Sequence, residues 1–535
     1  MNAPRVAVVG AGIAGLAAAH RLRALLGPEA AITLLEQRDR IGGVLRTVDL
    51  AGRPYDVGAE AFLARRPEVQ ALLAELGLTE RLVHPTAAGA TIRAAGRTVA
   101  LPGGTVLGVP TSAARLSGLL SHAGLAAVAG EQARPLAWTP GGDAALGPLL
   151  RARFGDELTD RLVDPLLGGV YAGRVDVLGL RPTMPAIAAA LDAGATSLTA
   201  AADAVLPPPP GESHDPPPRV GHFDGRNGSH DGLNGSHDGR NGSRRADTRG
   251  VGAADGVDSP THAAAKPDTP AGAAVESPTR TGGMRDSPVF GGLRGGYRVL
   301  LDALADAAHT DLRLGTTVRA IEPSAPGWLL VLGPTTAPEA LEVDAVVLAV
   351  PAPAVARLLR PVAPAAADAA AGIELASSVV VALAFREEDV PAPATSGALV
   401  ATGEPLSVKG VTHSSTKWAH LGGDGFVRLR ASLGRFGEAA ALQADDATLV
   451  AQVLADLAVL DGIHAAPVAV HVQRWGGGLP QYTPGHVGRI ATLEAGLPDG
   501  IAVAGAALHG VGVPACVGTG RAAAERLARA VVSIG

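Results

Sequence analysis

The chain has 535 residues, too many for one small domain and enough for two sizeable hydrophobic cores. Hydrophobic residues make up 47% of it but aromatics only 3%, so Ala, Val and Leu must fill the interior. A formal net charge of −6, with 45 Lys+Arg of which only Lys266, Lys409 and Lys417 are lysines, gives no reason to expect nucleic acid or an acidic membrane surface as partner. The single cysteine, Cys516, excludes an internal disulfide and suits a reducing compartment. With no secretory leader and no long apolar span expected, the cytoplasm is the expected location.

In chain order, residues 5–10 (RVAVVG) read as a buried strand that runs into Gly10-x-Gly12-x-x-Gly15 and a helix from Leu16 to Leu26. Gly10 makes the tight turn, Gly12 lets a pyrophosphate approach the backbone, and Gly15 lets helix pack on strand. Gly10, Ala11, Gly12, Ile13, Ala14 and Gly15 are therefore candidate cofactor ligands, with the phosphates at the helix N-terminus. A second strand, residues 31–35, ends in Glu36, about twenty residues after the glycines, where a carboxylate accepts ribose hydroxyls.

Residues 1–204 and 289–535 alternate apolar strands with amphipathic helical patterns, as mixed α/β folds do. Between them, 205–288 is rich in Pro, Gly, Ser, His and Asp and repeats a seven-residue unit: GRNGSHD from Gly225, GLNGSHD from Gly232, GRNGS from Gly239. Without apolar a and d positions this is no coiled coil, and the segment is expected to be disordered. Its Asn-Gly-Ser sequons at Asn227, Asn234 and Asn241 are idle without secretion. His214, His222, His230 and His237 could hold a metal weakly, but the composition favours an expanded surface loop.

Several segments resemble a known family. Glu36-Gln-Arg-Asp-Arg-Ile-Gly42-Gly43, followed by Val44, is similar to the ExxxRxGG motif of FAD-dependent oxidases of the amine-oxidase type. Tyr55-Asp-Val-Gly58-Ala59-Glu60-Ala61 resembles their flavin-side strand and turn. Asp164–Gly173 (DPLLGGVYAG) and Leu178–Pro185 (LGLRPTMP) resemble the protoporphyrinogen/coproporphyrinogen oxidase family, with Gly179 where that family usually has Ser. Further matches are Phe290–Leu300 (FGGLRGGYRVL), Val318 at the adenine-side strand, Asp344–Pro351, Ser377–Phe385, Thr412–Trp418, Val427–Gly434, and Trp475–His486 with its Trp475. The closing motif runs from Val503 to Cys516 and includes Val511, Gly512 and Val513, with Gly518 to Arg529 as its helix.

The resemblance implies an α/β (α+β) chain with a Rossmann-like FAD-binding domain (1–100, 289–350 and 476–535), a substrate-binding part (101–204 and 351–475) and the insert. It also implies FAD as cofactor, oxygen as acceptor with hydrogen peroxide released, and enzymes of haem biosynthesis as partners. The reaction the resemblance implies is a six-electron oxidation of a porphyrinogen, which would need neither a nucleophilic residue nor a metal because the flavin accepts the hydride. Substrate propionates call for guanidinium partners, which makes Arg65 and Arg66 candidates against a plain solvated helix start. Gly169 and Tyr171 are candidates for a glycine-rich wall against the ring, or equally a tight turn. Glu60 stands where the family often has Arg. Coproporphyrinogen III is favoured over protoporphyrinogen IX because no membrane attachment is evident. A flavin amine oxidase, with Lys417 near the flavin, a carotenoid-type desaturase and a non-catalytic flavin-binding partner are the alternatives.

The repeats carry almost no apolar side chains to contribute to a core, and closure entropy grows only slowly with loop length. Deleting about residues 208–288 is therefore expected to leave flavin content and turnover close to those of the full chain. A tenfold loss in either, measured on purified protein, contradicts this.

Overall fold

Alternate residues of the strand Arg5–Val9 enter two different cores: Val6 and Val8 go to one, Ala7 and Val9 to the other. A strand buried on both faces must sit in the middle of a layered parallel sheet, and it does. In the computed structural model, which describes residues 3–206 and 288–534, five parallel strands run in the order Asp311–Arg313, Ala31–Leu35, Arg5–Val9, Ala345–Leu348, Ile501–Val503. Start, middle and end of the chain all contribute. Residues 207–287, with the repeats, the sequons and the four histidines noted above, lie outside the described residues.

One face of the sheet carries the helices Ile13–Leu26, Arg298–Ala308 and Val513–Ile534, whose apolar residues form a shared core. The other face is covered by an antiparallel sheet of Val318–Ser324, Gly327–Leu332 and Glu339–Val343 and by the helices Ala352–Leu359, Pro364–Ala371 and His486–Ala495. The first helix fits tightly between its neighbours. A Cβ on Gly15 would stand 1.8 Å from the Gly10 carbonyl oxygen, and one on Gly520 would stand 2.2 Å from the Ala14 carbonyl oxygen. Gly518 and Gly520 lie inside the closing helix, which begins at Val513 rather than at Gly518, and Gly520 is its packing surface on the first helix. The lone Cys516 is 6% exposed in the first turns of that helix, and burial pushes its thiol up to about 12.

A second sheet of seven strands orders Ala469–Pro480, Leu375–Arg386, Phe426–Leu433, Val408–His413, Gly397–Val400, Ala90–Ala94 and Arg97–Ala100, antiparallel except where Gly397–Val400 meets Ala90–Ala94. Val379, Val381, Leu383, Leu429, Ala431 and Leu433 face the helix Asp446–Asp461. The opposite face turns Val380, Ala382 and Ala384 toward Tyr55, Trp418 and Trp475. Residues 146–205 add a helical layer with its own core. Here the segment Asp164–Tyr171 is a helix closed by Ala172 at φ 47°, so Gly169 and Tyr171 stand on a helix end rather than in a tight turn. No helix among the described residues is long and apolar enough to cross a membrane.

Arg428 fastens these parts. It is fully buried, and all its guanidinium nitrogens donate: Nε to Leu50 O (3.1 Å), Nη1 to Leu421 O (3.0 Å) and Asp424 Oδ1 (2.9 Å), Nη2 to Ala51 O (2.8 Å) and Asp424 Oδ2 (3.0 Å). A buried cation this well satisfied is costly to remove, because its partners are left without a donor. Arg428→Met is expected to lower unfolding free energy by about 3–5 kcal/mol, read from the midpoint of chemical denaturation. A loss under 1 kcal/mol on the same scale refutes this.

Candidate functional site

The glycine turn, the Glu36 carboxylate and the second glycine pair come together through backbone bonds. Gly10 N–H donates to Leu35 O (2.7 Å) and so seats the turn on the second strand. Glu36 is 7% exposed; its Oε2 accepts from Ala11 N–H (2.9 Å) and its Oε1 from Arg38 N–H (2.9 Å). Gly42 N–H donates to Ala11 O (2.7 Å), and Gly12 and Gly42 form a parallel bridge. The Arg40 guanidinium holds this loop from within by donating to the carbonyls of Ile41, Gly43 and Leu45. Thr316 N–H donates to Glu36 O (2.8 Å), which brings the strand start at Val318 alongside. Val318 is buried, and its carbonyl accepts from Arg357 (3.0 Å).

These residues fit a dinucleotide. The helix Ile13–Leu26 starts at Gly12 with no side-chain cap, which leaves its first N–H groups for an anion. Each Glu36 oxygen has spare acceptor capacity for hydroxyl donors. Most telling is Gly12 itself. A Cβ there would meet only Gly43 Cα, at 3.9 Å, so this one glycine of the turn borders open space while Gly10 and Gly15 are closed in by backbone. A helix, two glycine loops and a buried carboxylate thus surround a cradle with free donors on one side and free acceptors on the other.

The flavin-side candidates form a second group. Val57, next to Gly58, accepts from the indole Nε1 of Trp475 (2.9 Å). The Gly58 carbonyl accepts from the Arg430 guanidinium. Ala59 and Ala61 are half-buried beside Glu60, and Val44 is exposed. Glu60 is the centre of charge. Lys417 Nζ lies 2.5 Å from its Oε1 and Arg430 Nη1 3.5 Å from its Oε2. Burial works to raise its pKa, but the two cations outweigh that and hold it below the usual carboxylate range. Its neighbour Asp56 goes the other way. Burial pushes it up to about 7, against the bonds it accepts from Thr47 Oγ1 (2.6 Å) and Tyr297 N–H (3.1 Å).

At the closing motif, Gly512 is exposed and Val513 buried, and Gly510 N–H donates to the hydroxyl of Tyr482 (2.8 Å). Tyr482 connects this motif to the helix Asp164–Tyr171. Its ring stacks on His486 (4.0 Å between centroids) and meets the Tyr171 ring at 5.6 Å. Tyr171 is therefore a core residue, with its hydroxyl pushed up to about 12 by burial, while Gly169 and Val170 are the exposed surface of that helix end. Arg65 and Arg66 lie at the surface just before the helix Pro67–Glu75. Arg66 is committed to Glu68, with Nη2 to Oε1 at 2.5 Å.

Three cations in the same neighbourhood were not singled out from the sequence: Lys409, Arg430 and Arg435. For Arg430 alone a signal was present, in residues 427–433 (VRLRASL), where charges alternate with apolar residues and so share one face of a strand. Among the described residues no cluster of three or more His, Cys, Asp or Glu is placed to hold a metal.

Comparison with known proteins agrees with this layout. The family model for flavin containing amine oxidoreductase matches residues 13–528. Coproporphyrinogen III oxidase of Mycobacterium leprae is 41% identical over 527 residues, covering 98% of this chain and 99% of that protein. The Mycobacterium tuberculosis protein of the same name is 42% identical over 516 residues, 96% of this chain and 95% of its own. A crystal structure from an Exiguobacterium species, provisionally named a protoporphyrinogen oxidase, superposes with a TM-score of 0.75 at 27% identity over 99% of both chains. The chain belongs to the flavin containing amine oxidoreductase family, and it is an oxidoreductase with FAD as its cofactor.

Proposed function

We propose that this protein oxidises coproporphyrinogen III to coproporphyrin III in haem biosynthesis, with oxygen as acceptor and hydrogen peroxide as by-product. The observation that carries the substrate is the match, over nearly the whole chain, to mycobacterial proteins of that name. The site is consistent with it in charge, because cationic side chains surround the flavin-side turn and the substrate carries four propionates. FAD, when bound, supplies the hydride acceptor.

The chain's own residues bind and position. Gly10 to Gly15, Glu36, Gly42, Gly43 and Val318 hold the dinucleotide; Gly58 to Ala61, Trp475 and Val511 to Val513 frame its ring; Arg65 and Arg66 meet propionates at the rim. The neutral ion pair of Glu60 with Lys417 leaves the turn without a bare carboxylate that would repel an anionic substrate. Lys417 is thereby tied to Glu60 rather than left free, as an amine-oxidising site would want it. The domain division at 1–100, 289–350 and 476–535 against 101–204 and 351–475 is the functional one we propose, with action in the cytoplasm beside other haem-pathway enzymes.

Gly12→Val is expected to give folded protein without flavin, because its side chain would enter open space where the pyrophosphate lies. Gly15→Val should fail to fold. Circular dichroism together with visible flavin absorbance after gel filtration separates the two; a yellow Gly12→Val protein refutes the cradle.

Arg65→Ala should raise KM for coproporphyrinogen III on the order of tenfold, the worth of one charge-assisted hydrogen bond, and raise that for protoporphyrinogen IX less. Arg66→Ala should do less, since that guanidinium is held by Glu68. Steady-state assay of both substrates decides this. Equal KM values before and after both substitutions would remove the pair from the site, and faster turnover of protoporphyrinogen IX by the wild-type protein would replace the proposed substrate.

A further inference from the structure

Resting on the porphyrinogen reading above, we infer that Lys409, Arg430 and Arg435 form a built receptor for a substrate propionate on the inner face of the seven-stranded sheet. The starting observation is that three cations are gathered there with one carboxylate, Glu60, which Lys417 also holds. Arg430 follows Leu429 and precedes Ala431, both in the core against the helix Asp446–Asp461, so it projects from the opposite face. That face adjoins the flavin-side turn, since the guanidinium bonds Gly58 O and approaches Glu60. Lys409 occupies the register irregularity between Val408 and Gly410, and its Nζ donates to Gly434 O (2.9 Å). The next residue, Arg435, donates through Nη2 to Val400 O (3.2 Å).

The chain's own carboxylates discharge this group only in part. Glu60 is shared between Lys417 (2.5 Å) and Arg430 (3.5 Å), and Glu438 pairs with Arg174 (2.5 Å) while its Oε2 accepts from the Arg435 backbone N–H (3.3 Å). The Nε–H groups of Arg430 and Arg435 are both buried and have no hydrogen-bond partner. A buried, unpartnered guanidinium N–H is costly, and two on neighbouring arginines mark a place where an acceptor belongs. Lys409 is only 7% exposed; burial, then the charges of Arg435 and Arg430, push its amine down to about 7, with Glu438 the opposing influence. A carboxylate arriving here fills the two open N–H groups and restores the ammonium.

The helix end Asp164–Tyr171 adjoins the same face. Phe436 N–H donates to Ala172 O (2.7 Å), and the open surface at Gly169 faces Leu399, whose Cδ2 also lies against Gly410. The receptor thus lies between the flavin-side turn and the exposed Gly169–Val170 surface, where a flat ring could run from one to the other.

The test measures binding of coproporphyrin III and of its tetramethyl ester to the FAD-loaded protein by fluorescence quenching. Lys409→Met and Arg435→Gln should each weaken the acid on the order of tenfold. Binding of the ester, FAD content and the flavin spectrum should stay as in the wild type. In the wild type, affinity for the acid should fall as pH rises through about 7, where Lys409 loses its proton, with Arg430, Arg435 and Glu438 as its charged neighbours. In Lys409→Met that pH dependence should vanish. Should Lys409→Met fail to fold, Arg435→Gln alone decides. Unchanged acid binding, or equal losses for acid and ester, overturns the inference. Failure of the oxidation reading shows up separately, as absent turnover of coproporphyrinogen III by wild-type protein whose acid-selective binding still depends on these residues.

Discussion

The first helix is held at the limit of how closely backbones can approach. The Gly10 carbonyl leaves no space for a side chain at Gly15, and the Ala14 carbonyl leaves none at Gly520. Both contacts must form for the five-stranded sheet and the closing helix to share one core. The cradle for the cofactor is therefore defined jointly by the two ends of the chain and by the Ala345–Leu348 strand between them. Such a site cannot form from an N-terminal fragment, because its walls are hundreds of residues apart in sequence and their pairing requires long-range closure.

Two arginines two residues apart show how similar side chains come to different ends. Arg428 and Arg430 project from the same face of one strand. The first meets three carbonyls and a bidentate carboxylate and has nothing left to donate. The second reaches the flavin-side turn with one N–H still open. The difference lies in the partners that other segments bring, the Ala51 turn and the Asp424 loop for one, the Gly58 turn for the other. A cation with every donor filled fastens the structure, and one with a donor in reserve is available to a ligand.

This also explains what could be read from the sequence. The glycine turn and Glu36 were legible because their chemistry is local, a strand, a turn and a helix N-terminus within a few dozen residues, whereas Gly42 and Gly43 were picked out only by resemblance to a family motif. The closing helix was legible in kind but misplaced in its start, because Gly518 and Gly520 signal a helix boundary locally while in the fold both lie inside the helix and Gly520 serves its packing. Gly169 read equally as part of a tight turn, because glycine does not distinguish a loop from the exposed end of a helix. Lys409, Arg430 and Arg435 stayed hidden for another reason. Their meaning depends on which strands pair, and cross-strand pairing over long separations leaves no mark on any one segment. Glu60 likewise read as a departure from the family until Lys417, 357 residues away, was seen to neutralise it.

The lone cysteine bears on how such a protein survives its own chemistry. Oxidants attack thiolates far faster than thiols, and exposed sulfur faster than buried sulfur. Cys516 is closed off in the first turns of the closing helix and held protonated well above neutrality, and the other sulfur among the described residues, in Met184, is only 2% exposed. Peroxide formed as proposed above would thus meet no exposed or readily ionised sulfur among the described residues.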